Sequence, residues 1–350
     1  MELPEIRKEI EEVDYKILEL MKRRLDLAVK VGESKVKTDS PVRNIPTENM
    51  VIDRYRGFAL EHGMKPSYAE EVCKILMQES IELQAAIPRG TDCKRHIAII
   101  GGNGKMGRWM GDLLKQSGHR IDVIDPSAGN GLTIEDAKWA DTVIVSVPIS
   151  RNDSILRKLD DICKPDTLIF DLASLKSPFI ETLRDMGSRR RVCSIHPMFG
   201  PSAESMYDRN VVVCDCGCDE AVEDVLTMLG NHGANIRRMP VEDHDKYMSY
   251  VLGLSHAVNI AFFTVLDRSG ISFDDMKSVA STTFRKLMDT NESVALEDPY
   301  LYYEIQHMNS NRESMLNEFN TAVNDVVDAA LSDDPRAFKE LMDNGREYFT

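Results

Sequence analysis

Several groups of residues in this chain combine type and spacing in ways that chemistry requires. The run Gly102-Asn103-Gly104-Lys105-Met106-Gly107 stands directly behind an apolar stretch at 97–100. A strand that enters such a turn and leaves it as a helix can cradle a pyrophosphate. Glycine permits positive φ, lets backbone N–H groups reach the phosphates and lets the helix lie close on the strand. Asp125 closes the next apolar run, 121–124, about twenty residues on. From there a carboxylate hydrogen-bonds the ribose hydroxyls of NAD and repels the 2′-phosphate of NADP. A third run, 142–147, meets Pro148, as a buried parallel strand leaving its sheet should.

In sheets of this kind ligands gather at the carboxyl ends of the strands. The residues there are Ser146 with Pro148, Asp171 with Ser174 and Lys176, and His196, which opens His196-Pro197-Met198-Phe199-Gly200-Pro201. A histidine so placed can take a proton near neutral pH, as hydride removal from an alcohol requires. It can equally be a turn histidine fixed by the following proline.

Arg24 and Lys35 form the other group. Eleven residues of helix turn about 1100°, returning both to within roughly 20° of one face at about 16 Å separation. Two long cations can close on a small dianion between them, or both can be solvated charges on an amphipathic face. Arg7 lies about 26 Å further back along the same helix, within reach of that ligand only from an antiparallel partner.

The elements that must position these groups fall into three segments. In residues 1–90, apolar residues recur at three and four, and no proline interrupts 5–40, which predicts a single helix about 50 Å long. Two shorter helices are expected over 47–62 and 67–86, each opened by a hydroxyl cap. A rod that long has no core of its own and implies an interlocked dimer.

Residues 94–240 alternate β-type runs, at 167–171, 192–196 and 211–214 beyond the first three, with helical patterns. A doubly wound, mostly parallel sheet follows. From 241 to 350 helical patterns dominate, at 245–269, 274–289, 299–308 and 311–331. The nearly all-apolar stretch 258–266 belongs at a core or subunit interface. The fold class is therefore multidomain: all-α, then Rossmann-type α/β, then all-α.

Composition narrows the partners. A length of 350 residues with 42% hydrophobic content supports two or three cored domains. The net charge of −15 disfavours nucleic acid or an anionic membrane as partner, since both need basic faces. The start of the chain has no signal-peptide pattern, and no run of about eighteen uncharged apolar residues is apparent, so a cytoplasmic protein is expected. Seven cysteines fit reduced thiols. Cys214, Cys216 and Cys218 are the tightest cluster, but they lack a second ligand pair and read as thiols at a strand end; no metal is expected.

Longer strings carry a resemblance. "IRKEIEEVDYKILELMKRRLDLAVKVGESK", then "PVRNIPTE" and "ESIELQ", resemble the all-helical chorismate mutase domain over nearly all of residues 3–86. The resemblance implies that Arg24 and a partner-chain Arg7 bind the carboxylates of chorismate. Lys35 and Gln84 would meet the ether oxygen whose C–O bond breaks and Glu48 the ring hydroxyl, with Ser80 and Asn44 also lining the site. Thr47 departs from the arginine often found there, which bears on affinity more than activity. A pericyclic step needs no nucleophile or base, only a compact conformer and donors aimed at developing negative charge.

"GGNGKMGR", "DLASLKS", "HPMFGP", "VEDHDKYMSYVLGLSHAV" and "STTFRKL" occur in the order of prephenate dehydrogenase and extend the resemblance over 95–350. Taken whole, the chain resembles the bifunctional chorismate mutase/prephenate dehydrogenase family, NAD-dependent homodimers of tyrosine biosynthesis. By that resemblance His196 takes the ring-hydroxyl proton of prephenate, Ser174 orients hydroxyl and imidazole, and Arg285 grips a carboxylate. His244 and His256 either line the substrate cleft or are buried imidazoles, and Lys176 is a further substrate candidate. The competing expectations are an NAD-dependent hydroxyacid or arogenate dehydrogenase with N-terminal helices that only dimerise, and a nucleotide-sensing regulator without chemistry.

Overall fold

The computed structural model describes residues 2–38, 40–85, 87 and 94–350. They form two compact units, one of Met1–Val147, Ser154–Ala173 and Glu181–Met239, the other of Pro148–Asp153, Ser174–Ile180 and Pro240–Thr350.

The first unit opens with α1 (Leu3–Lys37), α2 (Ile45–Glu61) and α3 (Pro66–Ala85). The long helix anticipated from uninterrupted periodicity is present, while residue 86, expected at the end of the third helix, lies outside the described residues. The hydroxyl cap expected for α2 is instead an amide. Asn44 Oδ1 accepts the Thr47 N–H at 3.1 Å, and Thr47, the residue expected to cap, is already helical. The second half of α1 packs along α3, where Arg24 meets Ser80 and Gly32 meets Gln84, and α2 also packs on α3. Ile10, Ile17 and Leu20, on the first half of α1, are about half or more exposed (54%, 49% and 64%). That apolar seam matches the homodimer the sequence implied, since helices of this kind bury such a stripe against a partner.

Seven strands follow in the order β2-β1-β3-β4-β5-β6-β7. They are β1 (His96–Ile100), β2 (Arg120–Ile124), β3 (Thr142–Val145), β4 (Leu168–Asp171), β5 (Val192–Pro197), β6 (Asn210–Asp215) and β7 (Asn235–Pro240). The first five run parallel, and β6 pairs antiparallel to β5. Strand order reverses at β1, between β2 and β3, the switch point at which such sheets bind ligands. Helices α4 (Lys105–Gln116), α5 (Asn152–Ile162), α6 (Ile180–Gly187) and α7 (Asp219–Leu229) complete the crossovers. Ile97, Ile99, Met110, Ile144, Phe170 and Ile195 are completely buried in the core between strands and helices. The edge strand β7 was not legible, because its sequence NIRRMP carries two arginines and is largely solvent-facing.

The second unit is helical: α8 (Val241–Met248), α9 (Ser255–Arg268), α10 (Phe273–Ser278), α11 (Thr282–Ala295), α12 (Pro299–Met308), α13 (Arg312–Leu331) and α14 (Arg336–Phe349). One expected helix is continuous and one proves broken. Helical backbone runs through Val241–Arg268, with a π-helical insertion at Ser249–Leu254 between α8 and α9. Ser281 stops the run expected over 274–289 by accepting the Phe284 N–H at 3.1 Å, which starts α11 afresh. The last helix, α14, went unread. One expectation needs correction: Val241–Arg268 is long and apolar enough, by length and composition, to cross a membrane, with mean hydropathy 1.5 over its best window. Interspersed Ser, His, Asn and Thr had concealed that window. The same exposed apolar surface, including Val265, is what a dimer would cover.

Candidate active sites

Of the predicted cations in the helical segment, Arg24 comes to rest beside Ser80, another predicted site residue. The Arg24 guanidinium on α1 donates to the Ser80 hydroxyl at 2.5 Å and to the Leu76 carbonyl at 2.6 Å. The Ser80 hydroxyl in turn donates to Leu76 O, and one turn on the Gln84 amide donates to Ser80 O at 3.0 Å. Arg24, Ser80 and Gln84 thus form one hydrogen-bonded row between α1 and α3. Gln84 Oε1 is buried and has no hydrogen-bond partner among the described residues.

Lys35 donates to the Val42 carbonyl beyond the end of α1. Glu48 accepts from the Arg43 guanidinium at 3.1 Å and from the Asn44 N–H at 3.2 Å. Arg7 is exposed on the unpacked half of α1, apart from all of these. Gly32 and Arg43 were missed by sequence reasoning. A Cβ at Gly32 would stand 2.9 Å from Gln84 Cγ, so the glycine lets α1 close on the row.

The nucleotide turn is built by glycines that backbone leaves no room to replace. Gly101 has φ +76, and a Cβ there would meet the Ser146 carbonyl oxygen at 2.2 Å. At Gly107 the obstruction is Gly101 O at 2.5 Å, so α4 rests directly on the turn. Gly101 was not among the predicted residues, although the doubled Gly101-Gly102 was the available signal. Ser146 reaches this turn through its backbone, its N–H donating to Ile100 O at 2.8 Å. Gly104 is the N-cap of α4 and brings no capping side chain, so the first-turn N–H groups of Lys105, Met106 and Gly107 have no intrahelical acceptor. Pro148 opens a short 3-10 turn in the second unit.

Asp125 ends β2 beside Asn103. Its carboxylate accepts the Asn103 N–H at 3.2 Å and the Ser127 hydroxyl and N–H at 2.6 and 2.8 Å. Hydrogen bonds from Ser127, chiefly, hold it below the usual carboxylate range against the opposing effect of burial. Uncapped helix N–H groups, close-packed glycines and an ionised carboxylate fit a dinucleotide: pyrophosphate at α4, ribose at Asp125.

His196 lies in β5 opposite Val212 and is 4% exposed. It belongs to the first unit with the glycine turn, whereas Ser174, Lys176, His244, His256 and Arg285 belong to the second. There, Asp245 is an organising group that the sequence did not disclose. Its carboxylate accepts the backbone N–H of Lys176 at 2.9 Å, that of Ser177 at 2.6 Å and His244 Nδ1 at 2.6 Å. Burial pushes its pKa up, but bonds from His244 and Ser177 outweigh that and hold it low. His244 is completely buried, as is Lys176. His256 stacks on Tyr302, centroids 4.0 Å apart, and burial lowers its pKa to about 4. Both imidazoles are buried, and His256 Nδ1 has no hydrogen-bond partner among the described residues. Arg285 is exposed on α11, and Ser174 is half-buried.

Chorismate mutase type II matches residues 6–85, the prephenate dehydrogenase nucleotide-binding domain residues 110–238, and the prephenate dehydrogenase dimerization domain residues 240–344. The chain belongs to the bifunctional chorismate mutase/prephenate dehydrogenase family. It is an isomerase and an oxidoreductase in one polypeptide, acting on small molecules as a homodimer.

Relatives include the T-protein of Enterobacter agglomerans, 26% identical over 99% of this chain and 93% of that one. The T-protein of Haemophilus influenzae is likewise 26% identical, over 99% and 92%. A chorismate mutase of Methanocaldococcus jannaschii is 35% identical over 23% of this chain and 83% of its own. Among solved structures, prephenate dehydrogenase from A. aeolicus in complex with hydroxyphenyl propionate and NAD+ shares the fold. Its TM-score is 0.58 at 20% identity, covering 74% of this chain and 97% of that one.

Proposed function

We propose that the chain, in the cytoplasm, rearranges chorismate to prephenate in its helical domain (1–90). It then converts prephenate to 4-hydroxyphenylpyruvate with its NAD-binding domain (94–240) and its helical substrate and dimerisation domain (241–350). The observation that carries this reading is the Arg24–Ser80–Gln84 row in the same chain as a glycine turn backed by Asp125.

In the first reaction Arg24 and the partner's Arg7 hold the two carboxylates and fold the substrate into its reactive conformer. Gln84 has two amide protons, and one remains for the ether oxygen after Ser80 O is satisfied. The Lys35 ammonium, which also donates to Val42 O, is the second donor. Together they stabilise the negative charge that develops on oxygen as the C–O bond lengthens. Glu48 accepts the ring hydroxyl, and Asn44 lines the site while capping α2.

In the second, NAD bound at Gly102, Asn103, Gly104, Lys105, Met106, Gly107 and Asp125, with Ser146 and Pro148 at the next strand end, supplies a hydride acceptor. His196 accepts the ring-hydroxyl proton, Ser174 orients that hydroxyl, and Arg285 grips a carboxylate with its fixed fork. Loss of the ring carboxylate as CO2 makes the ring aromatic, so the step does not reverse. Lys176 and His244 support the substrate loop through Asp245, and His256 contributes an apolar wall.

Product analysis tests the reading. Chorismate alone should give prephenate, and added NAD should give 4-hydroxyphenylpyruvate with one NADH per turnover. Chorismate left intact in the absence of nucleotide would favour a dehydrogenase with merely structural N-terminal helices.

A further inference from the structure

Arg43 of the helical segment is held by three residues of the sheet domain, Asn235, Asp208 and Tyr207. One nitrogen, Nε, donates to Glu48 Oε2 at 3.1 Å. Another, Nη1, donates to Asn235 Oδ1 at 2.7 Å and lies 3.2 Å from Asp208 Oδ1. Its guanidinium carbon stands 5.2 Å from the centre of the Tyr207 ring. Arg43 therefore spans from the N-terminal end of α2 to the 207–209 loop and the start of β7.

The receiving side is itself fixed. Asp208 has φ +54, a left-handed conformation that aspartate tolerates better than most residues. Its N–H donates to Gly233 O at 3.1 Å, and its carboxylate accepts from the Asn235 amide at 3.2 Å. Asn235 N–H in turn donates to Arg209 O at 2.8 Å. On the other side, Glu48 has one oxygen on the Asn44 N–H and the other on Arg43. Its side chain is only 13% exposed. A guanidinium is planar with donors at fixed angles, so an arginine whose Nη1 is anchored presents Nε in one direction.

We propose that Arg43 is a positioning residue for the mutase reaction, through which Asp208 and Asn235 of the sheet domain hold the Glu48 carboxylate in the orientation that meets substrate. This rests on the assignment of Glu48 to the ring hydroxyl made above. It predicts that mutase turnover depends on residues of the dehydrogenase sheet that touch no mutase ligand.

The test uses the full-length dimer and measures kcat and KM for both reactions in Arg43→Ala, Arg43→Lys, Glu48→Ala, the double variant Arg43→Ala/Glu48→Ala, and Asp208→Ala/Asn235→Ala. Arg43→Ala should lower mutase kcat about tenfold with a smaller change in KM, and Arg43→Lys should recover only part of it. In the Glu48→Ala background, Arg43→Ala should add less than about a twofold further loss, because its effect runs through Glu48. Asp208→Ala/Asn235→Ala should lower mutase kcat about threefold while prephenate oxidation stays within about twofold of wild type.

Independent, multiplying losses for Arg43 and Glu48, or a wild-type mutase rate in Asp208→Ala/Asn235→Ala, would overturn the positioning role and leave the Glu48 assignment standing. A wild-type mutase rate in Glu48→Ala would overturn that assignment instead, and the positioning role with it.

Discussion

Asn103 donates its backbone N–H to the Asp125 carboxylate at 3.2 Å, so the glycine turn and the end of β2 are joined through the group proposed to read the ribose. Replacing Asp125 by Ala removes both a charge-assisted acceptor for a ribose hydroxyl and the repulsion of a 2′-phosphate. KM for NAD should rise about tenfold or more, the worth of a hydrogen bond to a charged group. KM for NADP should fall toward it, with Arg108 close enough to Asp125 to attract the added phosphate. Unchanged cofactor preference in this variant would remove Asp125 from the ribose site.

The turn itself admits a steric test. A methyl group at Gly107 would stand 2.5 Å from Gly101 O and 2.8 Å from Gly102 Cα, contacts that only backbone movement relieves. Gly107→Ala should abolish NAD binding by calorimetry and NADH formation by absorbance, while chorismate turnover persists. Normal calorimetric affinity for NAD in this variant would mean that the pyrophosphate does not rest on α4.

The two chemistries should separate by mutation. His196→Asn keeps a polar side chain at the end of β5 but cannot accept the hydroxyl proton at neutral pH, so prephenate oxidation should fall by about two orders of magnitude or more. Mutase activity should be spared. Arg24→Ala should do the reverse, since it leaves Ser80 and Leu76 O without their cation. If either substitution silenced both reactions in folded dimer, the two-site assignment would fall.

What the sequence disclosed and what it hid follow from range. The Gly102–Gly107 turn and the length of α1 are local patterns, written in glycine spacing and a 3.6-residue period, and both were legible. The π-helical insertion at 249–254 and the break at 279–281 were not, because in each an apolar period runs on while the backbone hydrogen bonds change partner. Asp245 escaped notice for a different reason: it looks like an ordinary helix-surface aspartate until Lys176 and Ser177, nearly seventy positions earlier, turn their N–H groups onto it. Arg43 was hidden likewise, since its partners Asp208 and Asn235 are remote in sequence. Local spacing shows where a ligand can bind, but not which side chains brace the site.

His256 should leave a pH signature in stability. Burial lowers its pKa from 6.5 to about 4, so between those values the unfolded chain binds a proton that the folded chain does not. Stability from this group is therefore complete above about 6.5 and is lost as the pH falls toward about 4. His256→Phe keeps an aromatic ring against Tyr302 and removes the titration. Its melting temperature should vary less than wild type's between those limits. Parallel pH profiles for the two proteins would show that His256 is charged, or accessible to protons, in the folded state.

Arg7 gives the most direct test of a shared mutase site, because it lies on the exposed first half of α1, while Arg24 is bonded to Ser80. Arg7→Ala and Arg24→Ala dimers should each be nearly inactive toward chorismate. When the two are unfolded together and refolded, half of the dimers should be mixed. Each mixed dimer has one site with both arginines replaced and one with both intact. The mixture should therefore recover about a quarter of wild-type mutase activity, by the two-fold symmetry of the pair. No recovery, with mixed dimers shown to be present by mass spectrometry, would place Arg7 and Arg24 in the same site of the same chain, whereas a fully active Arg7→Ala dimer would remove Arg7 from the site.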